Sequence, residues 1–137
     1  MKSATLTSGA LASAAGVHIE TLRFYERSGL IAEPRRSAGG YRQYPPDTVA
    51  RLRFIKRAQG LGFSLSEIGQ LLRLRSTPGR NSVRVKRLSE KKIAVIEAKI
   101  RDLQRMHEAL AALSAACDGK GATGDCPILK AIDECDT

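Results

Sequence analysis

From residue 82 to residue 115 the chain runs without a glycine or a proline. Within that stretch Ile93, Ile96, Ile100, Leu103, Leu110 and Leu113 recur at spacings of 3, 4, 3, 7 and 3, with Met106 beside the same seam. This is the period of one face of an α-helix. The segment therefore predicts a helix of about 33 residues, roughly 50 Å long. So long a helix cannot hide its apolar stripe against the small remainder of the chain. Pairing with a second copy hides it, so a homodimer is expected, with folding back onto its own domain as the alternative.

Charge separates the two halves. Residues 1–80 carry 13 Lys and Arg against 5 Asp and Glu, and residues 81–137 carry 10 against 9. Nearly all of the net +9 sits ahead of the long helix, the electrostatic footprint expected of a protein that meets a polyphosphate. No apolar run approaches the roughly 18–20 residues of a membrane span, and Met1-Lys2-Ser3-Ala4-Thr5 lacks the apolar stretch of a signal peptide. A cytoplasmic protein with no membrane partner is expected. There its three cysteines, Cys117, Cys126 and Cys135, stay reduced, which favours metal binding or redox sensing over structural disulfides.

The basic half reads as short helices. Ser8 is a candidate cap for a helix ending at Ala15 before Gly16, and a second helix spans about His18 to Ser28 before Gly29. Two short helices across a tight glycine turn make a helix-turn-helix pattern. Arg35 to Tyr44 reads as a small β-wing turning at Gly39-Gly40 and carrying Arg36, Tyr41, Arg42 and Tyr44. Pro45-Pro46-Asp47 opens a helix with Val49, Leu52, Ile55 and Ala58 on its apolar side, broken by Gly60 and Gly62. Ser64 and Glu67 form a capping-box pair for a helix burying Leu65, Ile68, Leu71 and Leu72. The expected fold is mainly α. A winged helix-turn-helix fills 1–75, a linker 76–81, a dimerisation helix 82–115, and a cysteine loop with a short helix from Pro127 fills 116–137.

Several motifs are more particular. Thr21-Leu22-Arg23-Phe24-Tyr25-Glu26 followed by Gly29-Leu30, the wing residues Arg36, Gly40, Tyr41, Arg42 and Tyr44, the segment Leu61-Gly62-Phe63-Ser64-Leu65, and a Cys-loop-Cys-Pro ending occur in that order over nearly the whole chain. Together they closely resemble the MerR family of regulators. The resemblance implies a dimer with an antiparallel coiled-coil helix. It also implies promoter DNA and RNA polymerase as partners, and an effector that makes the protein bend and untwist an overlong promoter. It places Arg23, Tyr25, Arg36, Tyr41 and Arg42 on the DNA backbone. His18, Glu20 and Thr21 fall at the start of the second helix, where base edges can be read; Glu20 either reads a cytosine amino group or caps the helix. Tyr25 could instead be core, and Phe24 is read as core.

The resemblance also makes Cys117 and Cys126, with eight residues between them, a metal-binding pair. Thiolates select soft ions. Divalent-ion members of the family set a third cysteine at the start of the dimerisation helix, where this chain has Ser82. The copper, silver and gold sensors of the CueR type have a serine there. Asn81-Ser82 with Val85-Lys86-Arg87 is similar to them as well. Cu(I), Ag(I) or Au(I) held by two thiolates is thus the leading expectation, with activation of efflux or resistance genes as the output. Lys86 would offset the dithiolate charge or be an ordinary solvated lysine. Zn(II) would want about four ligands, and only Asp118, Asp125, Cys135 and His107 are at hand.

Two features point elsewhere. The eight-residue loop is typical of the mercury, lead and zinc members, and Arg53-Phe54-Ile55-Lys56 with Gly62-Phe63-Ser64 looks like the mercury regulator. A sensor of Hg(II) or another divalent ion, using Cys135 as well, is the first alternative, and a thiol-redox regulator the second. Cys135 itself reads as spare thiol, transient ligand or inert. An enzyme is not expected: the two histidines lie far apart, and there is neither a phosphate-binding glycine loop nor a Ser/His/Asp grouping.

Overall fold

The computed structural model describes residues 4–134, which fall into two compact units divided between Leu88 and Ser89. The first holds α1 (Ser8–Ala15), α2 (Ile19–Arg27), β1 (Arg35–Arg36), β2 (Arg42–Gln43), α3 (Thr48–Gly60), α4 (Leu65–Ser76) and the start of α5 (Ser82–Ala116). The second holds the rest of α5, a 3-10 turn at Thr123–Asp125 and α6 (Pro127–Asp133).

Local chemistry sets these boundaries. Thr7, one residue earlier than expected, caps α1: its hydroxyl accepts from the Ala10 N–H at 3.1 Å. Gly16 ends α1 in the left-handed region at φ 69, turning the chain straight into α2. Ser64 and Glu67 form the anticipated capping box on α4. Gly60 does not break α3 but closes it as its last residue, and the turn falls to Gly62 at φ 94. Ser76, grouped with the linker in the sequence, is the last residue of α4. The wing pairs Arg35 with Gln43 and Arg36 with Arg42. Its turn runs Ser37 to Gly40, with only Gly40 taking positive φ there.

The core of the first unit gathers Leu11, Leu22, Tyr25, Leu52, Ile55, Ile68 and Leu72 from α1 to α4, with Leu30 and Ile31 after α2 and Tyr44 just after β2. Two reciprocal bonds between Leu6 and Tyr44, at 2.8 and 2.9 Å, stitch the segment ahead of α1 to the end of the wing. Basic residues of α3 are structural as well as electrostatic. Arg53 and Lys56 donate to the carbonyls of Ala14 and Gly16 at the end of α1, and Arg51 donates to that of Leu30. Cations there complement the negative helix end.

Two aromatic assignments are reversed. Tyr25, expected on the DNA backbone, is 4% exposed, and its hydroxyl donates to the Gln59 side-chain oxygen. Phe24, read as core, is 45% exposed. The reason is helical phase: Leu22 and Tyr25 are three apart and share the inward face of α2, which turns Phe24 outward.

The long helix is as expected in extent, and none of its residues is buried. Ile93, Ile96, Ile100, Leu103, Met106 and Leu110 are all exposed along it. The side-chain amide of Asn81, just before its start, donates to the carbonyls of Leu74 and Thr77 and so fixes the exit from α4. Among the described residues no helix is long and apolar enough to cross a membrane.

Leu52 is wholly buried, so Leu52→Ala is expected to cost about 2–5 kcal/mol, read as a lower urea midpoint; an unmoved midpoint would contradict this core. Burial raises the phenol of Tyr25 above its usual 10.0, and burial followed by the hydrogen bond and charge of Glu26 does the same for Tyr44. An acid raised in the folded state ionises first in the unfolded chain. Its stabilisation is present in full below pH 10 and is lost as pH climbs through the folded value. The urea midpoint is expected to fall above about pH 10, less steeply in Tyr44→Phe.

Candidate nucleic-acid interface and thiol pair

The outward face of α2 carries Ile19, Glu20, Arg23, Phe24 and Arg27, all exposed, while Thr21 is half-buried toward the flank. His18 caps the helix through its backbone without a side-chain bond and is itself exposed. The exposed start of α2 is thus built from His18, Ile19 and Glu20 more than from Thr21. A period count starting at Leu22 would have found this in the sequence.

Arg23 does not stand alone. Together with Arg36, Gly40, Tyr41 and Arg42 of the wing it lines a cavity of about 320 Å³ whose remaining wall is Thr7, Ser8 and Gly9, at the beginning of α1. Four of the residues expected to meet DNA therefore come together. Three arginine side chains and the start of α1 thus line one space, with Arg42 Nε turned to Glu26 and Arg36 donating to the Gly40 carbonyl. The α1 contribution was missed by sequence reasoning, because nothing local shows that α1 begins beside the wing. The Leu6–Tyr44 bridge puts it there.

The wing is held against α2 by Glu26. One carboxylate oxygen accepts from the Tyr44 hydroxyl at 2.9 Å, and the other faces Arg42 Nε at 3.4 Å. Glu26 and Arg42 are largely shielded, with 11% and 24% of their side chains exposed, so this pair is screened less than a surface one. Arg36 donates to the Gly40 carbonyl across the wing turn at 2.9 Å, and Tyr41 stands at the tip, 74% exposed. Glu26 is a second element the sequence did not single out, since its partners lie 16 and 18 residues away.

In the second unit Cys117 directly follows α5 and Cys126 precedes α6, with Pro127 in the first turn of that helix. Both are free thiols and both are half-buried. The intervening loop is shaped by Asp118, whose carboxylate accepts from the Lys120 N–H at 2.9 Å, by Gly119 at φ 75, and by the 3-10 turn. The backbone N–H groups of Leu129 and Ile128, then a hydrogen bond with the Cys117 side chain, lower the Cys126 thiol below its ordinary value against the opposing effect of burial. The two sulfurs are thus brought together with one already biased toward thiolate, the form that binds metal. Two adjacent soft donors fit a thiophilic ion. Among the described residues no group of three or more His, Cys, Asp and Glu side chains gathers around any point. His107 belongs instead to the α5 surface with Ile100, Leu103, Gln104 and Glu108, and Cys135 lies outside the described residues.

Comparison with known proteins follows the same lines. The chain matches the family described as MerR HTH family regulatory protein over residues 6–74, and that described as MerR, DNA binding over residues 49–113. It is 42% identical to a mercuric resistance operon regulatory protein of Pseudomonas fluorescens over 127 residues, 93% of this chain and 87% of that protein. It is 39% identical to the HTH-type transcriptional regulator CueR of Escherichia coli O157:H7 over 125 residues, 91% of this chain and 92% of that one. The fold matches the transcription regulator PbrR691 from Ralstonia metallidurans CH34 in complex with lead(II), with a TM-score of 0.83 and 35% identity over 93% of this chain and 98% of that chain. With motifs, fold and relatives in agreement, the chain belongs to the MerR family of DNA-binding transcription regulators and is not an enzyme.

Proposed function

We propose that this chain acts on promoter DNA as a homodimer, together with RNA polymerase, and that a soft metal ion held by Cys117 and Cys126 switches it to activate metal-resistance or efflux genes. The observation that carries the reading is a cavity lined by three arginines beside the wing in the first unit and two free thiols, Cys117 and Cys126, after α5 in the same chain. In this reading residues 1–75 bind DNA, 76–81 link, 82–115 pair two copies through the exposed stripe, and 116–137 hold the metal. Arg23, Arg36 and Arg42 clamp a phosphate, Tyr41 touches the backbone beside them, and His18 and Thr21 stand near the bases. Tyr25 contributes by fixing the inner face of α2, consistent with its burial. Effector capture then changes the twist and bend imposed on the operator.

The ion is proposed to be monovalent: Cu(I), Ag(I) or Au(I). Two thiolates satisfy a d¹⁰ ion of low coordination number, whereas Zn(II) would need about two more ligands. Ser82 occupies the place where a third thiol would be supplied. Hg(II) is the second reading, favoured by the eight-residue loop and by the 42% identity to a mercuric resistance regulator.

Titration of the reduced dimer, followed by mass spectrometry and promoter transcription, tests the ion. Cu(I) or Ag(I) is expected to bind stoichiometrically and induce. A stoichiometric response to Hg(II) or Zn(II) with none to Cu(I) would defeat the monovalent reading. Cys117→Ser is expected to keep DNA binding and abolish induction; surviving induction would rule out the thiol pair as the sensor. Arg23→Ala is expected to weaken binding to all sequences alike and to lower the salt slope by about one, so unchanged binding would remove the cavity from the DNA contact.

A further inference from the structure

Two apolar side chains face outward from α2, and while the Phe24 ring lies 6.1 Å from that of Tyr25, Ile19 is left without a place in the core or against it. Ile19 is the first residue of that helix and is 42% exposed, and it belongs neither to the core nor to the apolar residues packed against it. Val17, two residues earlier, does pack against that core. Ile19 also shares the face of Arg23 and Arg27, one and two turns on, with Arg23 in the cavity at the wing.

We infer that Ile19 reads a thymine in each half-site by packing against its C5-methyl group. The inference rests on the function proposed above, in which the start of α2 stands near the bases, and takes that helix to lie in the major groove. There the leading residues of a recognition helix reach the base edges. Only thymine offers an apolar group in that groove. A branched aliphatic side chain has no hydrogen-bonding atom with which to read any other base feature, and left in water it gains nothing. Its neighbour Glu20, also exposed, can accept only from donors such as a cytosine amino group. The first turn of α2 thus presents one apolar and one acceptor side chain to the groove, and Ile19 selects thymine over cytosine, which lacks the methyl.

The test uses the full-length dimer and the duplex it protects in a footprint of its own promoter region. Each thymine of one half-site is replaced in turn by uracil, which removes the methyl group and leaves every hydrogen-bonding atom. Dissociation constants are measured at one salt concentration for the wild-type protein and for Ile19→Ala. At one position uracil is expected to weaken wild-type binding about fourfold, the effect of losing one methyl-sized burial. Ile19→Ala should lose a similar amount on the thymine duplex and be insensitive to uracil at that position, a coupling that a general loss of helix or fold would not produce. Equal uracil sensitivity in both proteins at every position, or none in the wild type, overturns the assignment while leaving the DNA-binding reading intact. Absence of any footprint overturns that reading and the assignment with it.

Discussion

The carboxylate of Glu26 accepts from Tyr44 and pairs with Arg42, and through these two bonds a recognition helix and a two-residue-per-strand wing become one rigid surface. So short a hairpin has little stability of its own. Its side chains could not hold a fixed geometry toward DNA unless something in the body of the protein tied them down. Tyr44 supplies the anchor, wholly buried in the core and bridged through its backbone to Leu6. Because the same bridge fixes the start of α1, the side chains of Arg23, Arg36 and Arg42 and the helix start line one space.

The distribution of apolar surface carries a parallel message. The first unit closes its core completely around Leu22, Leu52, Ile55 and Ile68, whereas α5 closes nothing. A stripe of isoleucine and leucine left in water along a helix of 35 residues is incompatible with a chain that works alone. It becomes an asset once a second copy covers it. Cys117 follows that helix directly, and Cys126 stands before α6.

Much of this was legible in the residues. The limits of α5, the capping box at Ser64, the wing and the thiol loop each depend on neighbours within a turn or a hairpin, and the sequence places them within a residue or so. Reading failed where the deciding partner was distant. Tyr25 was expected on the phosphate backbone, yet helical phase takes it inward to Gln59, 34 residues on. Thr7 rather than Ser8 caps α1, a slip typical of adjacent hydroxyl residues. Glu26 and the opening of α1 were missed as parts of the interface, because neither carries a local mark of what lies across from it.

Periodicity, capping chemistry and charge asymmetry are properties of short stretches, and the sequence alone determined from them a helical chain with an unpartnered apolar stripe and a basic first half, while the cysteine loop drew its meaning from the resemblance to the MerR family. Which side chains share a space is a property of the closed chain. Only the tertiary structure brought Arg23, Arg36 and Arg42 around the start of α1, sent Tyr25 in and Phe24 out, and left Ile19 facing solvent. The physical reason is that burial and long-range hydrogen bonds are decided by packing against residues remote in sequence.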